Sequence, residues 1–329
     1  MDALANLSGQ RVLVTGATGF VGRHVVQQGL ALDVELHALS RTERRSAGIR
    51  WWQGDLLDED AIKQVLSQVR PDGILHLAAG GVAYGAARNR DVLQVNIEGL
   101  AILLDSVQEA GIRPHVVLAG SGFEYAPQDR PLREDDPIAP NSVYGVSKAA
   151  ATQLAHLYAS KFPVTVLRLF SLYGPGEQEP RVVPYVIAQT RRGLPIDLTP
   201  GEQMRDYTYV KDAAEGYWRA LASRPVAPGC RVWNLASGIT ITLRSFLETL
   251  AQLLGQRGLT PDLHFGARPY RSDELMTYAA DIALLHTELA WFPATPLAAG
   301  LSAMLNGYNL SNARQGYCSD RSQDKYYEP

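Results

Sequence analysis

The chain has 329 residues, of which 46% are hydrophobic and 20% are charged, so it is long enough to bury a full core and to form two lobes. Its 31 Lys and Arg residues and 34 Asp and Glu residues give a net charge of -3 without a basic run, which argues against nucleic acid and membrane surfaces as partners. Two cysteines are too few for a disulfide framework, and neither a signal segment nor an apolar stretch of membrane-spanning length is visible, so we expect a cytoplasmic protein.

Short apolar runs alternate with longer helical patterns through the first half of the chain. The predicted strands are 11–15, 34–39, 73–77, 115–119 and 164–169, and the predicted helices are 21–30, 61–69, 92–110 and 143–162. Alternation of this kind requires right-handed crossovers and gives a parallel sheet with helices on both faces. We therefore predict an α/β fold with a doubly wound parallel sheet.

The pattern changes after Tyr173, where glycines and prolines interrupt the chain and the following segments become shorter. A strand-like segment at 230–236 returns late, so the two lobes are expected to interleave in sequence. We predict a large lobe of residues 1–173 plus about 207–237, and a smaller lobe of residues 174–206 and 238–310. Residues 311–329 show no periodicity and are predicted to form a flexible tail.

A glycine-rich segment, GATGFVG, lies between the first predicted strand and the first predicted helix. Glycines at this spacing allow a tight turn, close approach of a pyrophosphate, and close packing of helix on strand. The pyrophosphate would lie against the free N–H groups at the N-terminus of the helix. We therefore predict a dinucleotide site. Its expected contacts are Gly16, Thr18, Gly19, Phe20, Val21 and Gly22.

The residues at the end of the second strand indicate which dinucleotide binds. An NAD site usually has an acid there that accepts hydrogen bonds from the ribose 2′-hydroxyl, whereas an arginine accommodates a 2′-phosphate. This chain has Ser40 and Arg41 at that point, with Arg44 close behind. These residues favour NADP(H) over the alternative, NAD, although a solvated basic loop would have the same sequence.

Two further segments at strand ends extend the predicted cofactor site. The Asp55 carboxylate would either accept a hydrogen bond from the adenine amino group or cap the following helix. Small residues at the end of the 73–77 strand would let a ribose and a nicotinamide pass close by, although tight packing would also explain them. The predicted contacts from these two segments are Asp55, Leu56, Leu77, Ala78 and Ala79.

Tyr144 and Lys148 stand four residues apart on a predicted helix and therefore lie on one face of it. The pKa of a free tyrosine is about 10, which is too high for proton exchange near neutral pH. A neighbouring ammonium favours the phenolate, so we predict that Lys148 lowers the pKa of Tyr144. Ser121 follows the 115–119 strand, where its hydroxyl would point into the ligand crevice. There it would form a hydrogen bond with the substrate oxygen that Tyr144 protonates.

Four motifs together resemble those of the extended short-chain dehydrogenases/reductases, within them the sugar-nucleotide-modifying branch. The motifs are TGATGFVG, the strand end at Ser121, YGVSK and RLFSLYGPGE, and the resemblance extends from about Arg11 to Gly307. It implies a Rossmann-type domain, which is the domain predicted above to bind NADP, and a smaller C-terminal α/β lobe that holds the substrate.

This resemblance also implies roles for individual residues. Ser121, Tyr144 and Lys148 would form the catalytic trio, and Lys148 would also hold the nicotinamide ribose. Asn96 matches a family asparagine that supports the active site. The substrate would be a nucleoside diphosphate sugar, and two chains would form a homodimer through the helices at 92–110 and 143–162.

An arginine pair is implied as the clamp on the substrate diphosphate. Arg205, in RDYTYVKD, matches the first arginine of the family, and Arg271 matches the second, with Arg268 as a competitor for that role. Two guanidinium groups suit an anionic diphosphate because their hydrogen bonds are charge-assisted and fork-shaped. Further implied substrate contacts are Ser121, Gly122, Phe123, Ser171 and Val183. Ser171 departs from the family pattern, in which asparagine usually stands.

The reaction type depends on the residues that follow Ser121. Dehydratases of this family place an Asp-Glu pair there, whereas Gly122 and Phe123 cannot exchange protons, which argues against dehydration. The segment GSGFEY resembles that of 4-keto-6-deoxyhexose reductases, and NADPH is the common donor for such enzymes. We therefore predict an NADPH-dependent 4-ketoreductase acting on a nucleoside-diphosphate-4-keto-6-deoxyhexose. The alternatives are a 4-epimerase with tightly bound NAD and a non-catalytic NADP(H)-binding regulatory protein.

Overall fold

The structure, a computed structural model, describes residues 3–81, 88–225 and 229–308. Its strands in chain order are β1 (Arg11–Thr15), β2 (Glu35–Ser40), β3 (Arg50–Gln53), β4 (Gly73–His76), β5 (His115–Ser121), β6 (Val164–Leu169), β7 (Ser171–Tyr173), β8 (Ile196–Leu198), β9 (Met204–Tyr209), β10 (Cys230–Leu235), β11 (Thr240–Thr242), β12 (Leu263–Phe265) and β13 (Thr277–Tyr278). Its α-helices are α1 (Phe20–Gly29), α2 (Glu59–Val69), α3 (Asn89–Leu93), α4 (Gly99–Glu109), α5 (Val143–Tyr158), α6 (Val182–Arg192), α7 (Val210–Ala222), α8 (Leu243–Gly255), α9 (Ala283–Leu289) and α10 (Leu297–Leu305).

A seven-stranded parallel sheet runs through the first lobe in the order β10-β6-β5-β4-β1-β2-β3. Val12 on β1, for example, pairs with Leu36 on β2 and with Gly73 on β4. The chain therefore builds the sheet outward in both directions from β1 and β4. Sheets of this kind bind ligands outside the carboxyl ends of the strands where the order reverses. The predicted Rossmann-type α/β fold is confirmed.

Apolar layers cover both faces of this sheet. Val12 and Val14 pack into the layer that contains α1 and α7, whereas Leu13 packs into the layer that contains α2 and α4. The division follows from the period of a strand, in which successive side chains point to opposite faces. Trp218 anchors α7 on α1, because its indole nitrogen donates to the Val25 carbonyl oxygen at 2.9 Å.

The predicted helix at 92–110 differs from the structure in one respect. A π-helical turn, Gln94–Glu98, separates α3 from α4. Such turns are frequently found at functional sites. Here the turn contains Asn96, which is buried.

A second sheet has β9 at its centre, with β11 antiparallel and both β7 and β13 parallel to it. Its apolar core comes mainly from α6, α8 and α10. β7, which lies within the predicted first lobe, pairs here, while β10 lies beside β6 at the edge of the main sheet. No helix in the described ranges is long and apolar enough to cross a membrane. The predicted tail at 311–329 lies outside the described residues.

The loop between β7 and α6 packs against α1 of the first lobe. The His24 ring nitrogen Nε2 donates to the Pro175 carbonyl oxygen at 2.7 Å. Glu177 is buried, and its Oε1 forms an ion pair with the Arg181 Nε at 2.8 Å. Its Oε2 has no hydrogen-bond partner among the described residues. Burial outweighs the attraction of Arg181 and raises the pKa of Glu177 to about 7.

A pH-dependent contribution to stability follows from this buried carboxyl group. The folded state binds the Glu177 proton more tightly than the unfolded state, so the free energy of unfolding falls as pH rises from 4.5 to about 7. Glu177→Gln removes this titration. Relative to the unsubstituted protein, the variant should gain stability across that interval, by at most about 3 kcal/mol.

Urea unfolding of both proteins at several pH values between about 5 and about 8 measures this difference. Glu179→Gln removes a charge from an exposed position of the same loop and serves as the control. A stability difference between Glu177→Gln and the unsubstituted protein that stays constant over this pH range would contradict the assignment.

Candidate active site

The loop between β1 and α1 brings two backbone segments into close contact. Gly16 has a φ of +70°, and a Cβ at this position would lie 2.4 Å from the Ala78 backbone nitrogen. A Cβ at Gly22 would lie 2.1 Å from the Gly16 carbonyl oxygen. Only glycine satisfies both positions, because any side chain would overlap backbone atoms.

This loop leaves the N-terminus of α1 open. Gly19 is the N-cap and contributes no side-chain hydrogen bond, so the first N–H groups of the helix can bind an anion. Thr18 and Gly19 are exposed, and Phe20 and Val21 are half-buried. The donor set and the glycine contacts fit the pyrophosphate of a dinucleotide.

The basic residues after β2 lie in a solvated loop. The Ser40 hydroxyl accepts a hydrogen bond from the Thr42 backbone N–H at 3.3 Å. Arg41 and Arg44 are exposed, and the Arg44 guanidinium lies 5.9 Å from the centre of the Trp51 ring. Ser40 is therefore engaged in its own turn, which agrees with the alternative explanation of this segment.

Asp58, rather than Asp55, caps the helix that follows β3. Asp58 is the N-cap of α2 and accepts from the Ala61 backbone N–H at 3.1 Å. Asp55 is exposed and accepts from the Leu57 backbone N–H at 3.0 Å. Asp55 thus shapes the turn before the helix, and Leu56 beside it is buried.

Asn96 joins the loop after β4 to helix α5. Its side-chain oxygen accepts from the Gly80 N–H at 2.8 Å, and its nitrogen donates to the Gly80 carbonyl oxygen at 3.1 Å and to the Ser147 hydroxyl at 2.8 Å. The Ser147 hydroxyl in turn donates to the Tyr144 carbonyl oxygen at 2.7 Å. Asn96 is only 3% exposed, so its hydrogen bonds fix the position of this loop from the protein interior. The predicted cofactor contacts of this loop are all half-buried, namely Leu77, Ala78 and Ala79.

Ser121 is the last residue of β5 and the N-cap of a short 3-10 turn. Its hydroxyl accepts from the Phe123 backbone N–H at 3.2 Å. This hydroxyl lies close enough to the phenols of Tyr144 and Tyr278 to offset part of the rise in pKa that burial gives both of them. The structure therefore brings Ser121 and Tyr144 together at the carboxyl edge of the main sheet.

Tyr144 and Lys148 occupy one face of α5, but their pKa values differ from the prediction. Burial raises the pKa of Tyr144 to about 12, and the Ser121 hydroxyl and the Arg181 charge offset only part of that shift. Burial also lowers the pKa of Lys148 to about 8. Its ammonium donates to the Ala119 carbonyl oxygen at 2.9 Å and lies 5.9 Å from the centre of the Tyr144 ring. The predicted lowering of the Tyr144 pKa is wrong, because desolvation of the phenol is the largest cause of the shift and raises the pKa.

Glu124 is a site residue to which the sequence analysis assigned no role. It is fully buried, and its Oε1 accepts from the Ser121 backbone N–H at 2.8 Å. Its Oε2 accepts from the Thr152 hydroxyl and from the Arg168 Nε, both at 2.9 Å. The available signal was the Ser-x-x-Glu spacing of a capping box, which Ser121 and Glu124 complete.

An aromatic wall lies next to Ser121. Phe123 stacks on Tyr278 with ring centres 4.6 Å apart and turns an edge toward Tyr144 at 6.2 Å. A Cβ at Gly122 would lie 2.7 Å from the Phe170 ring, so the close packing of this wall requires glycine. Tyr278, which the sequence analysis did not identify, thus belongs to the site.

Arg205 and Arg271 converge on one carboxylate. Arg205 donates to the Glu274 Oε1 at 3.0 Å, and the Arg271 Nε lies 3.5 Å from the Glu274 Oε2. Arg268, the competing residue, is exposed, and its backbone N–H donates to the Leu198 carbonyl oxygen at 3.0 Å. Two guanidinium groups beside one another suit an anion with two phosphates.

The remaining two predicted substrate positions differ in location. Ser171 is half-buried at the start of β7 and pairs with Tyr207 on β9. Val183 is 0% exposed and lies in the apolar core formed by α6, α8 and α10. The structure therefore does not bring the Val183 side chain to the crevice, because its apolar surface is used for packing.

A cleft with a volume of about 990 Å³ opens elsewhere in the molecule. It lies between the 130–133 loop, the segment after β10 and the residues before α10. Its lining includes Arg130, Arg133, Ser237, Ile239, Ile282 and Phe292. None of the predicted site residues lines this cleft, so we base the functional argument on the crevice around Tyr144.

Three comparisons with known proteins agree with this geometry. The sequence model of the NAD dependent epimerase/dehydratase family matches residues 12–236. UDP-glucuronate 4-epimerase 1 of Arabidopsis thaliana is 29% identical over 336 residues, with coverage of 91% of this chain and 77% of its own. UDP-glucose 4-epimerase of Lacticaseibacillus casei is 28% identical over 309 residues, with coverage of 86% and 91%. The solved structure of MoeE5 in complex with UDP-glucose and NAD has a TM-score of 0.78 and 29% identity, and covers 90% of this chain and 97% of its own.

These relatives overturn the predicted activity. Two are named 4-epimerases, and the solved structure contains NAD, so the prediction of an NADP-dependent 4-ketoreductase is wrong. The prediction depended on Ser40, Arg41 and Arg44 and on the resemblance of GSGFEY to the segment of 4-keto-6-deoxyhexose reductases. In the structure, Ser40 accepts a hydrogen bond within its own turn, and Arg41 and Arg44 are exposed.

The resemblance to sugar-nucleotide-modifying short-chain dehydrogenases/reductases is confirmed, and it supports a nicotinamide dinucleotide as the class of cofactor. The family match covers more than half of the chain, from β1 to the end of β10. The chain belongs to the NAD-dependent epimerase/dehydratase family.

Proposed function

We propose that this protein is an NAD-dependent 4-epimerase that acts on a UDP-linked hexose or hexuronic acid. Similar proteins are named for UDP-glucuronate and UDP-glucose, and MoeE5 was solved with UDP-glucose and with UDP-glucuronic acid, each time together with NAD. The observation that carries the proposal is the placement of Tyr144 and Lys148 on one face of α5, beside the end of β5 that carries Ser121, in a chain that aligns with 4-epimerases over most of its length.

The residues at the carboxyl edge of the main sheet fit NAD. The open N-terminus of α1 would bind the pyrophosphate, and the small residues Ala78 and Ala79 would border the nicotinamide half. Asp55 would lie at the adenine end, and the Lys148 ammonium would hold the nicotinamide ribose. When bound, NAD supplies a hydride acceptor that can return the hydride to the same carbon.

Tyr144 exchanges the proton in the proposed reaction. Its phenolate removes the proton of the C4 hydroxyl while C4 becomes a carbonyl, and the phenol returns that proton when C4 is reduced on its other face. Burial raises the pKa of Tyr144 to about 12 even with the Lys148 ammonium 5.9 Å from its ring, so the phenolate also needs the positive charge that bound NAD would bring to the site. The Ser121 hydroxyl would bind the same C4 oxygen.

We expect the arginine pair near the second sheet and the aromatic wall to bind the substrate. Arg205 and Arg271 would exchange their shared partner Glu274 for the diphosphate of the substrate, since phosphate oxygens accept the same fork-shaped hydrogen bonds. Phe123 and Tyr278 offer an apolar surface to the sugar ring. Epimerisation requires both faces of C4 to meet the hydride in turn, so this surface must hold the ring loosely while the diphosphate stays fixed.

The first test is conversion without an external reductant. Purified protein incubated with UDP-glucose or UDP-glucuronic acid should form the C4 epimer with no NADPH added, because the hydride removed from C4 is returned within the same turnover. Proton NMR of the sugar and chromatography of the dinucleotide released by denaturation measure the two outcomes. Recovery of NADP, or the absence of an epimer from both substrates, would refute the proposal.

The second test concerns Tyr144. Tyr144→Phe removes the acid–base hydroxyl and should lower kcat by about 10² to 10⁴-fold, which corresponds to about 3 to 5 kcal/mol of transition-state stabilisation. Binding of NAD should change little, as measured by the dinucleotide content of the purified variant. Tyr158→Phe removes a hydroxyl from the far end of the same helix, where it contacts Asp105, and should keep normal kcat. Retention of most of the turnover by Tyr144→Phe would mean that another group exchanges the proton.

We also propose that two chains associate through α3, α4 and α5. Apolar side chains remain exposed on two of these helices, with Leu157 at 73%, Val146 at 47% and Leu93 at 37%. Exposed apolar surface of this kind is buried when helices of two chains pack together. Light scattering at micromolar concentration should give the mass of two 36.0 kDa chains. The mass of one chain would contradict this arrangement.

A further inference from the structure

We propose that Glu124 is a positioning residue for the reaction, whose buried carboxylate holds Ser121 in register with the helix that carries Tyr144. The inference rests on the proposed function only where it takes Ser121 and Tyr144 as the reacting groups. The contacts themselves are a property of the fold.

The two oxygens of Glu124 bind different elements. Oε1 accepts from the Ser121 backbone N–H at the end of β5 at 2.8 Å. Oε2 accepts from the Thr152 hydroxyl on α5 and from the Arg168 Nε on β6. One carboxylate therefore ties the end of β5, helix α5 and strand β6 to a single point, and it does so at 0% exposure.

The contact with Thr152 reaches the catalytic face of α5. Tyr144, Lys148 and Thr152 follow one another at intervals of four residues, so they lie along one face of the helix. Glu124 thus connects the backbone of Ser121 to the same helix face that presents the phenol and the ammonium. A shift of one element relative to the other would move the Ser121 hydroxyl away from Tyr144.

The ion pair with Arg168 is itself held in place. The Arg168 guanidinium donates to the Tyr125 phenol at 2.7 Å, and that phenol donates to the Asn234 side-chain oxygen at 2.7 Å. Arg168 is only 4% exposed. This chain of contacts extends to β10 and restricts the side chain of Arg168, and through it the carboxylate of Glu124.

A buried ion pair is weak evidence for stability, because desolvation of both charges offsets most of their attraction. Its geometric effect is stronger, since a hydrogen bond to a charged acceptor is short and directional. Misplacement of a reacting group by about 1 Å can cost about 10²-fold in rate. The network around Glu124 therefore has a larger expected effect on turnover than on substrate binding.

The test is Glu124→Gln, which keeps the size of the side chain and removes its charge. We expect kcat for epimerisation to fall by about 10 to 100-fold, while KM for the UDP-sugar and the bound NAD content stay within about threefold of normal. In a Ser121→Ala background the same substitution should lower kcat by less than about threefold, because the hydroxyl that it positions is already gone. Equal losses in the two backgrounds, or unchanged kcat, would overturn the inference.

Two further variants separate positioning from a general loss of stability. Glu124→Gln combined with Arg168→Gln removes both charges of the pair and leaves no unpaired buried guanidinium, so this double variant should fold. Its kcat should be as low as that of Glu124→Gln alone. Asp136→Asn breaks another ion pair, that of the buried Asp136 with Arg130, and should leave kcat unchanged. A loss in kcat for Asp136→Asn as large as that for Glu124→Gln would assign both effects to stability.

Amide hydrogen exchange distinguishes failure of this inference from failure of the proposed function. Epimerisation by the unsubstituted protein with unchanged kcat in Glu124→Gln would refute the positioning role alone. If the unsubstituted protein forms no epimer, the function proposal fails, and the exchange rate of the 119–125 segment decides the role of Glu124. Faster exchange in Glu124→Gln than in Asp136→Asn supports a role in fixing Ser121, and equal exchange overturns it.

Discussion

Parallel hydrogen bonding of the main sheet is the constraint on which the rest of this structure depends. Because all seven strands run in one direction, the carboxyl ends of β1, β2, β4 and β5 meet at one edge. The glycine loop, the Ser40 turn, the Ala78 segment and Ser121 each follow one of these ends. A cofactor and a reacting hydroxyl can therefore meet there, although the segments are far apart in the chain.

Burial, rather than charge alone, determines the electrostatics of this edge. Burial raises the pKa of Tyr144 and lowers that of Lys148, and it also raises the pKa of Glu177 in the loop between β7 and α6. In each case desolvation is larger than the effect of the nearest charge. The polar groups of the site thus depend on the closely packed helices around them, and their proton affinities would change as soon as a ligand displaced water or added charge.

The second sheet contributes a different kind of chemistry. Arg205 and Arg271 both pair with Glu274, so two positive charges lie close together beside a carboxylate that an anionic ligand can replace. Tyr144 lies beside the aromatic pair of Phe123 and Tyr278 at the end of β5, so apolar surface and a phenol are presented together.

The sequence by itself determined the features that depend on neighbouring residues: the strand–helix alternation, the glycine loop, and the spacing of Tyr144 and Lys148 on one helix face. Only the tertiary structure decided the features that depend on distant contacts. The partners of Glu124 stand 28 and 44 residues away, the pKa of Tyr144 follows from the packing around it, and the Val183 side chain lies in a core rather than in the crevice. The glycine loop predicted the class of cofactor, a nicotinamide dinucleotide, whereas the choice of NADP over NAD is not supported by the relatives. Periodicity and turn chemistry are local, whereas burial and hydrogen-bond partners arise only when the chain has folded.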